Sequence, residues 1–586
     1  AAFRAQNPFK FEKDGKLYQK ENAYIFDFAP ERTLMIFDEF ANSLYSTTSG
    51  GGGTKSEREA NIKRLLNFFA VFAEDQDGKM EQVDAAKVLT IPLKIKTEEV
   101  IRRGFMSNML FSNIGVVFNA PKEVVEILNK MEPAKEQGSR KEKLDHEELQ
   151  EVPVDENGNI EIPQETVVNQ TNAIFGEKIY EEVPVKPLEP YKEVGDDTKP
   201  EEAMAVGLAQ KIAETLHDGI YGEQAQSNYG LTKAESKRIE EKVQKQAEEA
   251  LKRVAEDFTD KKKVLEADLQ HELAQATTEA EKIQVQEEHA EKVQQATQEF
   301  NETMEKRTQE VIVESAQKVV KEQETKKEEK KMRSFEGDIR DRLRGFARTI
   351  PSFIMAYGDD KLVLKNFETY PKEEVFKDVT SVTVDEFKML RDGFEYTDEE
   401  TGEKKKFPGG VFAEDVFDSS VQEFLNKKRE LADYFAETSE EDIFDYIPPQ
   451  KTNQIFTPKK VVQMMVEQLV ETEPHIFESP DKTFVDFYMK SGLYITEIVK
   501  RLYRNKVLKS IIPDDKERVK HILECQVFGF APTQIIYDIT MSYIFGFDEE
   551  AKNISRRNFF CEDTLPYAER GELQQLVNEK LGDRIK

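Results

Sequence analysis

Two acids, a serine and a glycine in the last quarter of the chain have the types and spacing to hold a polar ligand. Asp486 ends the apolar run "TFVD", Ser491 and Gly492 open the helical run "LYITEIVKRLY" five residues later, and Asp563 follows Glu562 at the end of "NFFCED". A strand that ends on an acid, then a turn where glycine lets the backbone bend sharply, then a helix N-terminus, can bring N–H groups and a carboxylate close to such a ligand. Upstream, "QIFTPKKVV" places Phe456, Thr457 and Pro458 at the head of another helix. Thr457 is a natural N-cap and Pro458 a natural first helical residue, with Val461, Val462, Met465, Val466 and Leu469 forming one apolar face. Many nucleotide-cofactor sites are built in this order.

The elements that must position these residues belong to a long chain. Its 586 residues exceed what one hydrophobic core supports, so several domains are expected. The fold class read from the pattern is multidomain and mainly α with α/β ends, a long helical hairpin or coiled coil in the middle, and a half-domain of open α/β type at the C-terminus. Residues 1–47 read as the end of an α/β domain, with a strand at Tyr24, Ile25 and Phe26. Residues 48–132 read as a helical spacer, 133–200 as a polar, acidic linker with a hairpin near Asn157-Gly158, and 201–336 as a coiled-coil segment. Residues 337–450 read as a helical region with a hairpin in "FEYTDEETGEKKKFPGG" and aromatics in its core, and 451–586 as the candidate site's own domain. Between Leu231 and Glu336 there is neither Gly nor Pro, and Ile239, Val243, Ala250, Val254, Phe258, Leu265 and Leu269 recur at helical spacings, as do Ala290, Val293, Phe300, Met304 and Val311. A single rod of that length would expose a weakly apolar seam. An antiparallel hairpin is the preferred arrangement, its returning helix capped by Thr278 and Glu281.

Composition excludes some functions. A net charge of −31 argues against a protein that coats DNA along its whole surface, since counterion release needs clustered Lys and Arg. Two cysteines, Cys525 and Cys561, are too few for a disulfide framework and lack zinc spacing, so they read as reduced structural thiols. The six histidines show no metal-ligand spacing. No leader and no long apolar run is present, so the expectation is a soluble, cytoplasmic chain without a membrane partner, read as an internal fragment of a longer protein. The Gly-rich stretch before Lys55 imitates a phosphate loop, but Thr54 stands where that loop needs glycine.

The order Phe456-Thr457-Pro458, then Asp486, then Ser491-Gly492 resembles the N-terminal half of the gamma-type DNA adenine N6-methyltransferases. The resemblance implies S-adenosylmethionine as cofactor, a Rossmann-like fold, and cofactor contacts at Phe456, Thr457, Pro458, Asp486, Ser491, Gly492 and Asp563, the last facing the adenine. The sequence departs from the family in three places: Phe487 stands for a proline, Lys490 for a glycine, and Ala531-Pro532 where an acid should grip the ribose. Lys490 fits the turn only if its φ is negative. The family's Asn/Asp-Pro-Pro-aromatic turn, which holds the flipped base, does not follow Asp563. No catalytic residue is assigned, and this chain alone is expected to be inactive.

At the other end, "AAFRAQNP" is similar to the last conserved motif of superfamily 2 helicases, which implies that Arg4 reaches ATP phosphates. Taken in order, the segments resemble the single-polypeptide ATP-dependent restriction-modification enzymes of phage defence, in which a translocase is joined by a helical coupler to an adenine methyltransferase. That resemblance implies ATP and magnesium in the parent protein and double-stranded DNA as its partner. The alternative is a coiled-coil scaffold carrying a degenerate, non-catalytic methyltransferase-like domain. One arginine cannot replace a phosphate loop and a magnesium-binding acid, so the chain is expected to release no phosphate from ATP. A colorimetric phosphate assay checks this, and turnover abolished by Lys55→Ala would contradict it.

Overall fold

The computed structural model describes residues 10–13, 16–19, 30–45, 48, 55–74, 79–134, 143–155, 158–176, 183–190, 199–398, 401–436, 441–449 and 456–585. The chain is mainly helical, with small sheets among the described residues, and it divides into two compact units. The first comprises residues 1–149, 156–158 and 335–586, and the second residues 150–155 and 159–334. No described helix is long and apolar enough to cross a membrane.

In the first unit a hairpin pairing Lys10–Lys13 with Lys16–Gln19 precedes three helices, α1 (Pro30–Ser43), α2 (Lys55–Leu66) and α3 (Ala85–Arg102). Leu34, Ala41, Ile62, Leu66 and Val88 form their shared core. Asp38 is buried among them, and a buried carboxylate is costly unless paired. It accepts from Arg58 of α2 at 3.0 Å and faces Lys96 of α3 at 3.6 Å, tying the three helices at one point. A short hairpin, Phe72–Glu74 with Met80–Gln82, lies within the stretch read from the sequence as a helical spacer. Arg4, the strand expected at Tyr24, Ile25 and Phe26, and the Gly-rich stretch lie outside the described residues.

The second unit is built on α4 (Pro200–Ile220), α5 (Lys233–Gln275) and the first part of α6 (Glu279–Ala347). α5 and α6 run antiparallel. Lys242 meets Glu322 at 2.7 Å, Phe258 stacks on Phe300 with centroids 4.4 Å apart, and Glu272 meets Lys292 at 3.6 Å, so partners climb one helix as they descend the other. The reversal falls where the capping residues expected it. The Glu281 carboxylate accepts from the Thr277 and Thr278 amides at 2.8 and 3.0 Å, and the Thr278 hydroxyl accepts from the Glu281 amide at 3.3 Å.

Its core is broader than a two-helix seam. α4 adds Leu208, Ile212 and Leu216, and the fully buried positions of α5 include Ala247, Leu251 and Ala255 beside the expected Val243 and Phe258. Ala250 and Val254 are only partly buried, because a second helix packing on α5 widens its apolar stripe and turns it. Toward the reversal the packing thins, and Val264 and Ile283 are exposed.

The first unit continues from Phe335 through the end of α6 into α7 (Ile350–Tyr357) and α8 (Glu414–Glu430). Their core is aromatic, as expected: Phe346 stacks on Phe387 at 5.5 Å, while Phe353 and Phe417 meet Phe367 edge-on at 5.5 Å. The expected hairpin pairs Phe394–Thr397 with Lys404–Phe407.

The C-terminal region runs α9 (Lys459–Thr472), β1 (Phe484–Asp486), α10 (Leu493–Arg504), β2 (Val527–Ala531), α11 (Gln534–Ile544), β3 (Phe559–Cys561) and α12 (Leu573–Lys580). The three strands are parallel in the order β1-β2-β3. All five residues of β2 are buried, as a central parallel strand covered on both faces requires. On one face Phe528 and Phe530 pack against Leu576 and Leu581, with Val577 and Ile585 beside them. α10 and α11 also pack on β2.

The aromatic stack between α5 and α6 should carry much of the hairpin's stability. Phe258→Ala is expected to cost about 3 kcal/mol, whereas Lys242→Ala, which removes an exposed ion pair, should cost less than about 1 kcal/mol. Denaturant titration of the helical circular dichroism signal compares the two.

Candidate functional site

The helix that precedes the sheet starts one residue later than its capping residues suggested. α9 begins at Lys459, and Pro458 is its N-cap, with its carbonyl accepting from Val461 and Val462 at 2.9 and 3.1 Å. Pro458 itself is extended at φ −56°, ψ 141°, and a residue before proline is driven to extended geometry as well, so Thr457 stands outside the helix and is not its cap. Of the expected apolar face, Val462 and Val466 are buried, while Val461, Met465 and Leu469 are exposed. Met465 instead accepts a hydrogen bond from Tyr494 of α10 at 2.8 Å. Phe456 packs on Phe444 at 5.0 Å, and Phe444 on Tyr543 of α11 at 4.9 Å, which anchors the lead-in to α9 on the sheet's helices.

The turn from Asp486 to Gly492 crosses the carboxyl end of β2. The Met489 amide donates to the Phe530 carbonyl at 2.7 Å, and the Met489 side chain is fully buried against Gly529. With Met489 turned inward, Tyr488 and Lys490 on either side remain partly exposed, and the Lys490 ammonium lies 5.9 Å from the Tyr488 ring centroid. Lys490 is not among the non-glycine residues with positive φ, so it meets the condition set for it. The Thr564 hydroxyl donates to the Phe487 carbonyl, which joins the loop after β3 to the loop after β1. Asp563 lies close enough to Tyr488 for its charge, added to burial, to push that phenol up. Asp486, Tyr488, Lys490 and Asp563 therefore share the carboxyl edge of the sheet, where ligands of open α/β sheets settle.

Gly492 has φ 82°, and a Cβ there would meet the Thr540 methyl at 2.9 Å and Ile544 at 3.2 Å. The glycine is required by its dihedral and by the close approach of α11. It is not ligand access that demands it, so a Val side chain at this position would disturb the core before it obstructed a ligand. Ser491 is buried, its hydroxyl accepting from the Leu493 amide at 3.3 Å. No hydrogen bond within the described residues takes up the N–H groups of Lys490, Ser491, Gly492, Tyr494 or Ile495. These are the donors that a helix N-terminus offers to an anion.

Electrostatics single out Asp486. Burial pushes its carboxyl up to about 6, against the smaller opposing effect of the Tyr488 amide, which donates to it at 3.0 Å. Lys490 makes no ion pair with any described acid. Asp563 accepts from the Leu565 amide at 3.0 Å and is otherwise exposed, whereas its neighbour Glu562 is engaged by Tyr567 and Lys580 at 3.2 and 3.4 Å.

The carboxyl end of β2 is less well equipped. β2 ends at Ala531, and Thr533 caps α11 by accepting from the Ile536 amide at 3.4 Å. The first acid after β2 is Asp538, already engaged by Gln534 at 3.1 Å and by the Tyr357 hydroxyl at 2.5 Å. That last bond, with Lys428 donating to Ser542 at 3.0 Å and Tyr434 to the Ile544 carbonyl at 3.1 Å, clamps α11 to the helical region before it. Burial lowers the Lys428 amine to about 8. Among the described residues no group of His, Cys, Asp and Glu could hold a metal ion, and both cysteines are free and exposed.

Comparison with known proteins adds one finding. Over 124 residues, 21% of this chain, the sequence is 29% identical to a Mycoplasma pneumoniae protein described as an uncharacterized adenine-specific methylase. The match covers 28% of that relative, so the chain spans little more than a quarter of its length. No protein-family model matches the chain, and no solved structure matches it.

The raised carboxyl makes a stability prediction whose sign is fixed. Because Asp486 holds its proton more tightly folded than unfolded, its contribution is intact below about pH 4 and is lost as pH rises toward and past 6, a loss of roughly 2–3 kcal/mol. Asp486→Asn removes that loss. The melting temperature of the variant relative to the native chain should rise between pH 4 and pH 7.5, and a constant difference would contradict the assignment.

Proposed function

We propose that residues 456–585 bind S-adenosylmethionine at the carboxyl edge of the sheet, and that the chain is part of a DNA adenine N6-methyltransferase. The observation that carries this reading is a partly buried carboxylate, Asp486, whose proton is held up to about 6, beside helix N-terminal donors without partners among the described residues, in a chain similar to a methylase of that description. The fit is good at one end of the cofactor: Asp486 offers a charge partner for its ammonium, and the N–H groups after Lys490 offer donors for its carboxylate. Asp563 would take the adenine end, while Phe456, Thr457 and Pro458 would lie over the crevice. At the ribose the fit fails, since Ala531 and Pro532 offer no acid, and each missing charged hydrogen bond weakens binding by roughly 1.5–3 kcal/mol. The cofactor supplies a methyl group activated on sulfonium sulfur.

In the wider reading, residues 1–47 end a translocase whose parent protein uses ATP and magnesium, with Arg4 reaching the ATP phosphates. The helical segments couple it to the methyltransferase, and the parent protein acts on double-stranded DNA in restriction-modification and phage defence, in the cytoplasm. What supports this is the order of segments and the "AAFRAQNP" motif. The second reading, a scaffold with a degenerate methyltransferase-like domain, is favoured by one specific observation, the absent ribose acid.

Calorimetry of the whole chain with S-adenosylmethionine separates the two. Binding is expected, with affinity rising about tenfold from pH 5 to pH 7 as Asp486 ionises to meet the cationic ligand, and with that rise lost in Asp486→Asn. Absence of binding across the range would favour the scaffold.

A further inference from the structure

Lys490 is the residue whose presence the fold does not explain. Its backbone needs no lysine, its ammonium forms no ion pair with a described acid, and it lies 5.9 Å from the Tyr488 ring centroid. Other cations of the region are engaged: Lys500 with Glu497, Arg501 with Glu467 and Glu497, and Lys580 with Glu562. The buried Met489 pins the turn so that Lys490 stands four residues from Asp486, immediately before the free N–H groups that begin α10. A positive and a negative side chain that share one short turn without pairing present opposite charges to whatever lies between them.

We infer that Lys490 takes the carboxylate of the bound molecule's amino-acid end while Asp486 takes its ammonium, so that the site selects adenosyl ligands carrying an intact zwitterion. This rests on the reading of residues 456–585 as an adenosyl-cofactor site. The free N–H groups of the turn complete the carboxylate's hydrogen bonds, and the Tyr488 ring limits where the lysine head can swing. Here lysine provides by charge what a glycine turn provides by backbone alone, and it compensates at the amino-acid end for the acid missing at the ribose.

The test compares S-adenosylhomocysteine with 5′-methylthioadenosine, which lacks the amino-acid end, by calorimetry on the whole chain. The native protein should bind S-adenosylhomocysteine more tightly, and less so as sodium chloride rises. Lys490→Met should weaken S-adenosylhomocysteine about tenfold without altering the melting temperature, leave methylthioadenosine within twofold, and reduce the salt effect to the part owed to Asp486; Lys490→Arg should retain binding. Equal weakening of both ligands, or no weakening of either, would overturn the role of Lys490. If the native chain bound neither ligand, the cofactor reading itself would fall, a result visible before any variant is made.

Discussion

The bond from the Met489 amide to the Phe530 carbonyl governs what this molecule presents at its sheet edge. The chain leaving β1 for α10 passes over the end of β2 with one side chain directed into the sheet. Met489 is that side chain, and the absence of a Cβ at Gly529 makes room for it. With Met489 buried, Tyr488 and Lys490 on either side stay partly exposed, Asp486 is partly buried at the end of β1, and the amides that start α10 have no partner among the described residues. The Thr564 hydroxyl then ties the loop after β3 to the same turn, so the acids at two strand ends are held together across the strand between them.

The sheet does not achieve this alone. Three short parallel strands make a small core, and α11 is shared between that core and the helical region before it. Tyr357, Lys428 and Tyr434 each hold α11 by a hydrogen bond, and Gly492 admits it closely enough to touch the turn. A displacement of α7 or α8 would therefore reach the candidate site through one helix rather than through a loop. The aromatic core behind those helices, from Phe346 to Phe417, gives that path its stiffness.

Much of this was legible in the sequence where the signal is local. Strands β1, β2 and β3, the turn with positive φ at Gly492, the reversal at Thr278 and the hairpin from Phe394 to Phe407 all announce themselves through short apolar runs, glycine and capping pairs. What stayed hidden depends on contacts distant in the chain. Thr457 looked like a cap because the composition fits, but proline's own geometry moved the helix start. The seam in α5 shifted to Ala247, Leu251 and Ala255 because α4 adds a third helix, which no period within α5 records. Lys490 read as a flaw in a glycine turn, since its partly exposed place beside the Tyr488 ring depends on which way Met489 points, and Asp538 could not be linked to Tyr357 from spacing alone.

The central claim is that an adenosyl ligand lies over the turn from Asp486 to Gly492. Its most direct test is an experimental structure of the chain grown with saturating S-adenosylhomocysteine. The account predicts the ligand at the carboxyl edge of the sheet, its amino-acid end against Asp486 and Lys490 and its adenine toward Asp563. A ligand seated elsewhere, or an empty crevice at saturating concentration, would contradict it.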